Sequence, residues 1–219
     1  MKIKPFLRIF HPISLYFHDK LVAYDEKMER CRVKATLFVR EFLLNPRTIG
    51  AILPSSDYLA EKMMASVCFE QAKYIIEYGP GTGVFTDKIL RYRHPDTVVM
   101  IIEHNREFFC ILNEKYQDEK NVIIINGSAE HIETYVKEHN IPFVDYIISG
   151  LPFASLPLHV SNAILNKARY LLGVKGKFIT FQYTQTKVRL FTQFFNQMTV
   201  ERVYRNLPPA FVFSCYNEK

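Results

Sequence analysis

Tyr74-Ile75-Ile76-Glu77-Tyr78-Gly79-Pro80-Gly81-Thr82-Gly83 joins a short apolar run to an acid and then to three glycines at alternate positions. A run of this length bounded by glycine reads as a buried strand. Glycines just past a strand let the chain turn sharply and let backbone approach a ligand more closely than a Cβ permits. Residues 84–90 then read as the start of a helix. The spacing is Gly-x-Gly-x-Gly, not the Gly-x-Gly-x-x-Gly of a dinucleotide fold, and no Lys-Ser/Thr follows to grip a phosphate. The acid at the strand end, Glu77, suits a ligand that carries positive charge.

Downstream the same unit recurs. Residues 98–102 are a second apolar strand ending in Glu103, the place where α/β folds put an acid to take both hydroxyls of a ribose. A third strand, 122–125, runs into Asn126-Gly127-Ser128-Ala129-Glu130, and a fourth, 145–148, into Ser149-Gly150-Leu151-Pro152-Phe153. A helix over 157–172 stopped by glycine leads to a fifth strand, 177–183. Residues 187–197 read as helical, and 200–204 with 210–216 as two strands joined tightly around Leu207-Pro208-Pro209. Ahead of the first strand, Ser55 or Ser56 is placed to cap a helix over 57–64. Every strand of the series ends in a polar or glycine-bearing loop, so the loops are expected at one edge of a sheet.

The 219 residues, 48% hydrophobic and 23% charged, fit one α/β domain with a modest extension rather than two domains or a disordered chain. We divide the chain into a basic amphipathic helical extension, 1–49, and a Rossmann-like domain, 50–219. Net charge is +6, and most of it belongs to the extension, which favours an anionic membrane surface or nucleic acid without choosing between them. Residues 1–22 carry Phe6, Phe10, Phe17 and Leu21 at helical spacing beside Lys and Arg, with Pro12 dividing the pattern into two short helices. Such a stripe serves equally an interfacial membrane helix or a helix packed on the core. Cys31, Cys68, Cys110 and Cys215 are far apart in a pattern that suggests neither a zinc site nor a disulfide framework, and they are expected as free thiols. No metal is expected. No run is long enough for a membrane span and no signal peptide is recognised, so a cytoplasmic chain is expected.

With Glu77 to Gly83, Glu103, Ser128-Ala129 and Ser149 to Phe153 in this order, the sequence resembles the class I S-adenosylmethionine-dependent methyltransferases. The resemblance implies a mostly parallel seven-stranded sheet ending in an antiparallel strand pair. It assigns Glu77 to the ammonium side of the cofactor, Gly79, Gly81 and Gly83, with Thr82 among them, to close backbone approach, and Glu103 to the ribose. Ser128 and Ala129 go to the adenine, with Glu130 able to replace the serine. The loop holding Ser55 and Ser56 folds over the methionine end, and His104 sits on the cofactor loop as a surface residue.

Two families share this loop order. The ribosomal RNA adenine dimethylases carry Asn-x-Pro-Tyr/Phe after the fourth strand, where the amide takes the exocyclic amine of the base. This chain has Gly150-Leu151-Pro152-Phe153 there, and glycine offers no amide oxygen. The set Pro54-Ser55-Ser56, Ser149-Gly150-Leu151-Pro152 and Asn206-Leu207-Pro208-Pro209-Ala210 is similar instead to the bacterial phospholipid N-methyltransferases. That resemblance implies methylation of phosphatidylethanolamine by an enzyme peripheral on the inner face of the membrane, docked on anionic lipid through 1–22. Ser149, Gly150, Leu151, Pro152, Phe153 and Tyr183 are the expected acceptor channel, with a Ser149 or Gly150 carbonyl receiving the amine and the two rings favouring a methylated ammonium. The alternatives are a nucleic-acid or small-molecule methyltransferase and a non-catalytic membrane-associated cofactor-binding protein.

Overall fold

The computed structural model describes residues 56–218. The expectations for 1–49, for residues 1–22 and for Ser55 lie outside the described residues. Along the chain run α1 (Asp57–Met64), β1 (Tyr74–Tyr78), α2 (Val84–Tyr92), β2 (Val98–Glu103), α3 (Arg106–Tyr116) and β3 (Val122–Asn126). After a 3-10 turn (Ala129–His131) come α4 (Ile132–Glu138), β4 (Tyr146–Ser149), α5 (Leu158–Leu172), β5 (Lys177–Gln182), α6 (Val188–Phe191), β6 (Gln197–Val203) and β7 (Ala210–Tyr216).

The strands form one seven-stranded sheet in the order β3-β2-β1-β4-β5-β7-β6. The first five are parallel, and β7 lies antiparallel between β5 and β6. The mostly parallel sheet with its antiparallel end is the fold expected from the sequence. Parallel strands covered on both faces must be apolar throughout. Ile76, Tyr78, Met100, Ile147 and Phe178 accordingly pack on one side with α5. Ile75, Val99, Ile101, Ile148 and Ile179 pack on the other with α1, α2 and α3.

Register places the loops. Tyr78 pairs with Ile102 and with Ser149, and Ser149 with Thr180, so the carboxyl ends of β1, β2, β4 and β5 finish level. Chain progression reverses between β1 and β4, and a crevice at such a switch point is where open α/β sheets bind ligands. The backbone continues the ladder into the loops there: the Gly79 N–H donates to the Ile102 carbonyl at 2.9 Å and the Gly150 N–H to the Tyr78 carbonyl at 2.8 Å.

Two expectations are corrected. The helix over 187–197 is only one turn, 188–191, because Gln197 already pairs with Tyr216 and opens β6. Cys110 is disulfide-bonded, whereas Cys68 and Cys215 are free as expected.

Candidate active site

Three glycines of the β1–α2 loop have positive φ: Gly79 at 59°, Gly81 at 60° and Gly83 at 88°. Their surroundings differ. A Cβ on Gly79 would come within 2.8 Å of Leu151 Cδ2, and one on Gly83 within 2.5 Å of the Tyr116 hydroxyl, while one on Gly81 would meet nothing within 4 Å. Positive φ favours glycine at all three; side chains also pack close on Gly79 and Gly83, and Gly81 borders open space. Tyr116, on α3, donates to the Gly83 carbonyl or to Asp87 Oδ1 and so braces the loop from behind.

Two buried carboxylates stand at the carboxyl ends of β1 and β2. Glu103 Oε2 accepts from the Gly81 N–H at 3.1 Å and Oε1 from the Asn105 N–H at 2.8 Å. Each oxygen keeps a further lone pair, and a ribose hydroxyl could use it. Glu77 is fully buried; its Oε2 accepts from the Thr86 hydroxyl at 2.6 Å, and its Oε1 has no hydrogen-bond partner. Burial, aided by the charge of Glu103, pushes the Glu77 carboxyl up to about 8. Burial also raises Glu103, which the Asn105 and Gly81 N–H groups oppose. An unpaired buried carboxylate oxygen costs free energy unless a donor or cation reaches it. A cationic ligand over Gly81 with a ribose toward Glu103 therefore fits these residues.

The raised Glu77 carboxyl has a sign that can be tested. Because its folded value lies above its unfolded one, its contribution to stability is complete below about pH 4.5 and is lost as pH rises toward about 8. The thermal midpoint of ligand-free wild type, measured relative to Glu77→Gln, is expected to fall across that window. A difference that stays constant with pH would contradict the burial of an ionisable Glu77.

The β2 and β3 ends are joined by Asn126, whose side-chain amide donates to the Glu103 carbonyl at 2.9 Å. Beyond it Ser128 Oγ accepts from the Glu130 N–H at 3.2 Å and caps the 3-10 turn, while Ala129 is buried in the core. Ser128, Glu103, Gly81, Gly150 and Tyr183 thus follow one another across the sheet edge in the strand order. Thr82 is half-buried in the loop, and His104, which follows Glu103, is exposed. Ser56 Oγ accepts from the Leu59 N–H and caps α1, while its N–H donates to Asn206 Oδ1 at 3.0 Å, bringing the 206–210 motif to the same edge.

On the β4 side, a Cβ at Gly150 would stand 2.5 Å from the Gly79 carbonyl oxygen. The Thr180 hydroxyl donates to the Ser149 carbonyl at 3.1 Å, and Gln182 Nε2 to the Leu151 carbonyl at 3.1 Å. Among the described residues the Gly150 carbonyl accepts no hydrogen bond. Leu151 and Pro152 are half-buried beside it. Phe153 departs from the expected channel: it is fully buried, edge-on to Phe178 and Phe191 at 6.0 and 5.5 Å, and belongs to the core. Tyr183 stays at the edge. Its hydroxyl is buried without a hydrogen-bond partner of good geometry, and that burial raises the phenol while nearby Asn206 offsets part of the shift. Gln182, which the motifs do not mark, is brought to the same edge by its bond to Leu151. Thr180 and Gln182, two apart in an otherwise apolar strand, were the available signal.

Residues 33–200 match the family model described as ribosomal RNA adenine dimethylase. The chain belongs to that family. This dimethylase-family chain is 28% identical over 185 residues to the ornithine lipid N-methyltransferase of Singulisphaera acidiphila, covering 84% of the chain and 96% of the relative. It is 29% identical over 122 residues to the ribosomal RNA small subunit methyltransferase A of Borreliella afzelii, covering 55% of the chain and 40% of that protein. Among solved structures, TrmN from Thermus thermophilus superposes with a TM-score of 0.58 at 14% identity over 73% of the chain, which spans 48% of the length of TrmN. That likeness establishes the fold alone. The dimethylase family is one of S-adenosylmethionine-dependent methyltransferases, and S-adenosylmethionine is the cofactor. Among the described residues no group of three or more His, Cys, Asp or Glu could hold a metal ion.

Proposed function

We propose that this chain methylates the amine of an aminolipid of the phosphatidylethanolamine type at the surface of a membrane. The observation that carries the reading is Gly150. An adenine-methylating member needs an amide side chain at this position, and the Gly79 carbonyl 2.5 Å from the Cβ position leaves no room for one. A buried base amine would then be short of an acceptor at a cost of roughly 1–3 kcal/mol. The high coverage of an ornithine lipid N-methyltransferase supports the same choice.

The bound cofactor supplies an activated methyl group on a sulfonium. In our reading Glu77 receives its ammonium side, the backbone of 79–83 lies against it, Glu103 takes the ribose, and Ser128, Ala129 and Glu130 surround the adenine. Ser55 and Ser56 close the methionine end. The free Gly150 carbonyl accepts an N–H of the lipid amine, leaving the nitrogen lone pair directed across the switch point. Gln182 holds the Leu151 carbonyl away from this task, and the Tyr183 hydroxyl and ring border the acceptor. Positioning of this kind supplies several kcal/mol of barrier lowering without an acid or base beyond a neutral amine.

The extension 1–49, with 1–22 on anionic lipid, delivers the domain to the cytoplasmic face. Among the described residues no helix is long and apolar enough to cross a membrane. Deleting 1–22 is expected to abolish transfer to vesicle-borne aminolipid while keeping transfer to a short-chain, water-soluble aminolipid. Unchanged vesicle activity after the deletion would contradict docking through that segment.

A further inference from the structure

The β6–β7 turn presents a surface that the catalytic edge does not use. Tyr204 is 70% and Leu207 79% exposed, and Tyr58 of α1, which Arg205 of the turn covers, is 40% exposed. The Arg205 guanidinium lies 5.5 Å over the Tyr58 ring and that of Arg202 4.8 Å over Tyr204. Among the described residues neither arginine has an ion pair. The nearby carboxylates are engaged, Glu201 with Lys62 at 3.1 Å and Asp57 with Lys88 at 2.8 Å. Asn206, in the middle of this turn, is buried and reaches Ser56, so the surface is continuous with the Tyr183 end of the site.

We propose that the Tyr204–Pro209 turn is a second docking surface, which seats Leu207 and Tyr204 in an anionic phospholipid bilayer with Arg202 and Arg205 at its phosphates. The inference rests on the aminolipid reading. An aliphatic apex flanked by aromatic rings and two cations matches the boundary between acyl chains and headgroups, where rings sit at headgroup depth and basic side chains meet phosphate. RNA fits less well. Two unpaired cations neutralise few phosphates, and a face of each ring is already covered by a guanidinium, where a base would need it open.

The chain contains no tryptophan, so a single L207W substitution in the full chain reports this turn alone. With vesicles of phosphatidylglycerol and phosphatidylethanolamine, its emission is expected to shift to the blue and to be quenched by lipids brominated along the acyl chain. A Y170W reporter, on a residue 79% exposed at the end of α5, is expected to stay unshifted. Arg202→Gln with Arg205→Gln is expected to lower vesicle affinity roughly fivefold for each arginine. Vesicle co-sedimentation with an unshifted L207W signal, absence of vesicle binding, or a shift on ribosomal RNA but not on vesicles would each overturn the proposal. Methyl transfer is scored separately. A shifted L207W signal without transfer to any aminolipid sinks the lipid-methylation reading and leaves the docking surface standing, and transfer with an unshifted signal does the reverse.

Discussion

Gly150→Ala is expected to reduce methyl transfer at least a hundredfold per folded molecule and to lower the thermal midpoint by several degrees. The added Cβ would lie 2.5 Å from the Gly79 carbonyl oxygen, a backbone atom that cannot swing aside. Either β4 or the β1–α2 loop must shift, and a displacement near 1 Å at the reacting centre is enough for a loss of about a hundredfold. A forced backbone clash of this kind falls among the more destabilising substitutions, about 2 kcal/mol or more. Gly173→Ala is the control. Unlike Gly150 it has a positive φ, at 58°, but its Cβ would meet nothing within 4 Å, so it is expected to cost stability through backbone strain and to leave transfer intact. Equal losses of activity in the two variants would show that the contact between Gly150 and Gly79 has no special role. Gly150→Asn is expected to fail in the same way and to gain no activity on adenine.

Glu103→Ala is expected to weaken cofactor binding by about a hundredfold or more. The carboxylate holds the Gly81 and Asn105 N–H groups and, in the proposed reading, takes both ribose hydroxyls, and hydrogen bonds to a charged group contribute roughly 1.5–3 kcal/mol each. Titration with 5′-methylthioadenosine, which keeps the ribose and adenine but has no ammonium, separates the two acids. Its affinity should fall in Glu103→Ala and stay near wild type in Glu77→Gln. If Glu77→Gln weakened it as much, Glu77 would not be the partner of the ammonium.

The sheet was legible because strands covered on both faces must be apolar from end to end, so residues 74–78, 98–103 and 122–126 stand out between polar or glycine-bearing loops. The acids at the ends of β1 and β2 could be read for the same reason, as charges where an apolar run stops. Pairing over long sequence distances could not be read. Residues 192–197 have a helical pattern, but β7 offers them a ladder and β6 begins at Gln197. Phe153 shows a second limit. A phenylalanine following a ligand loop can turn outward to a substrate or inward to the core, and only the cluster with Phe178 and Phe191 decides for the core. The same holds for the choice between carbonyls: the sequence offered Ser149 or Gly150, and the Thr180 hydroxyl already bonds to the first.

The most direct test is the partition of label from methyl-labelled S-adenosylmethionine among vesicles containing phosphatidylethanolamine, ribosomal RNA and a simple soluble amine offered in parallel. Label in the lipid phase, lost in Gly150→Ala, is the predicted result. Label in the RNA with none in lipid would contradict the aminolipid assignment and return the chain to adenine chemistry.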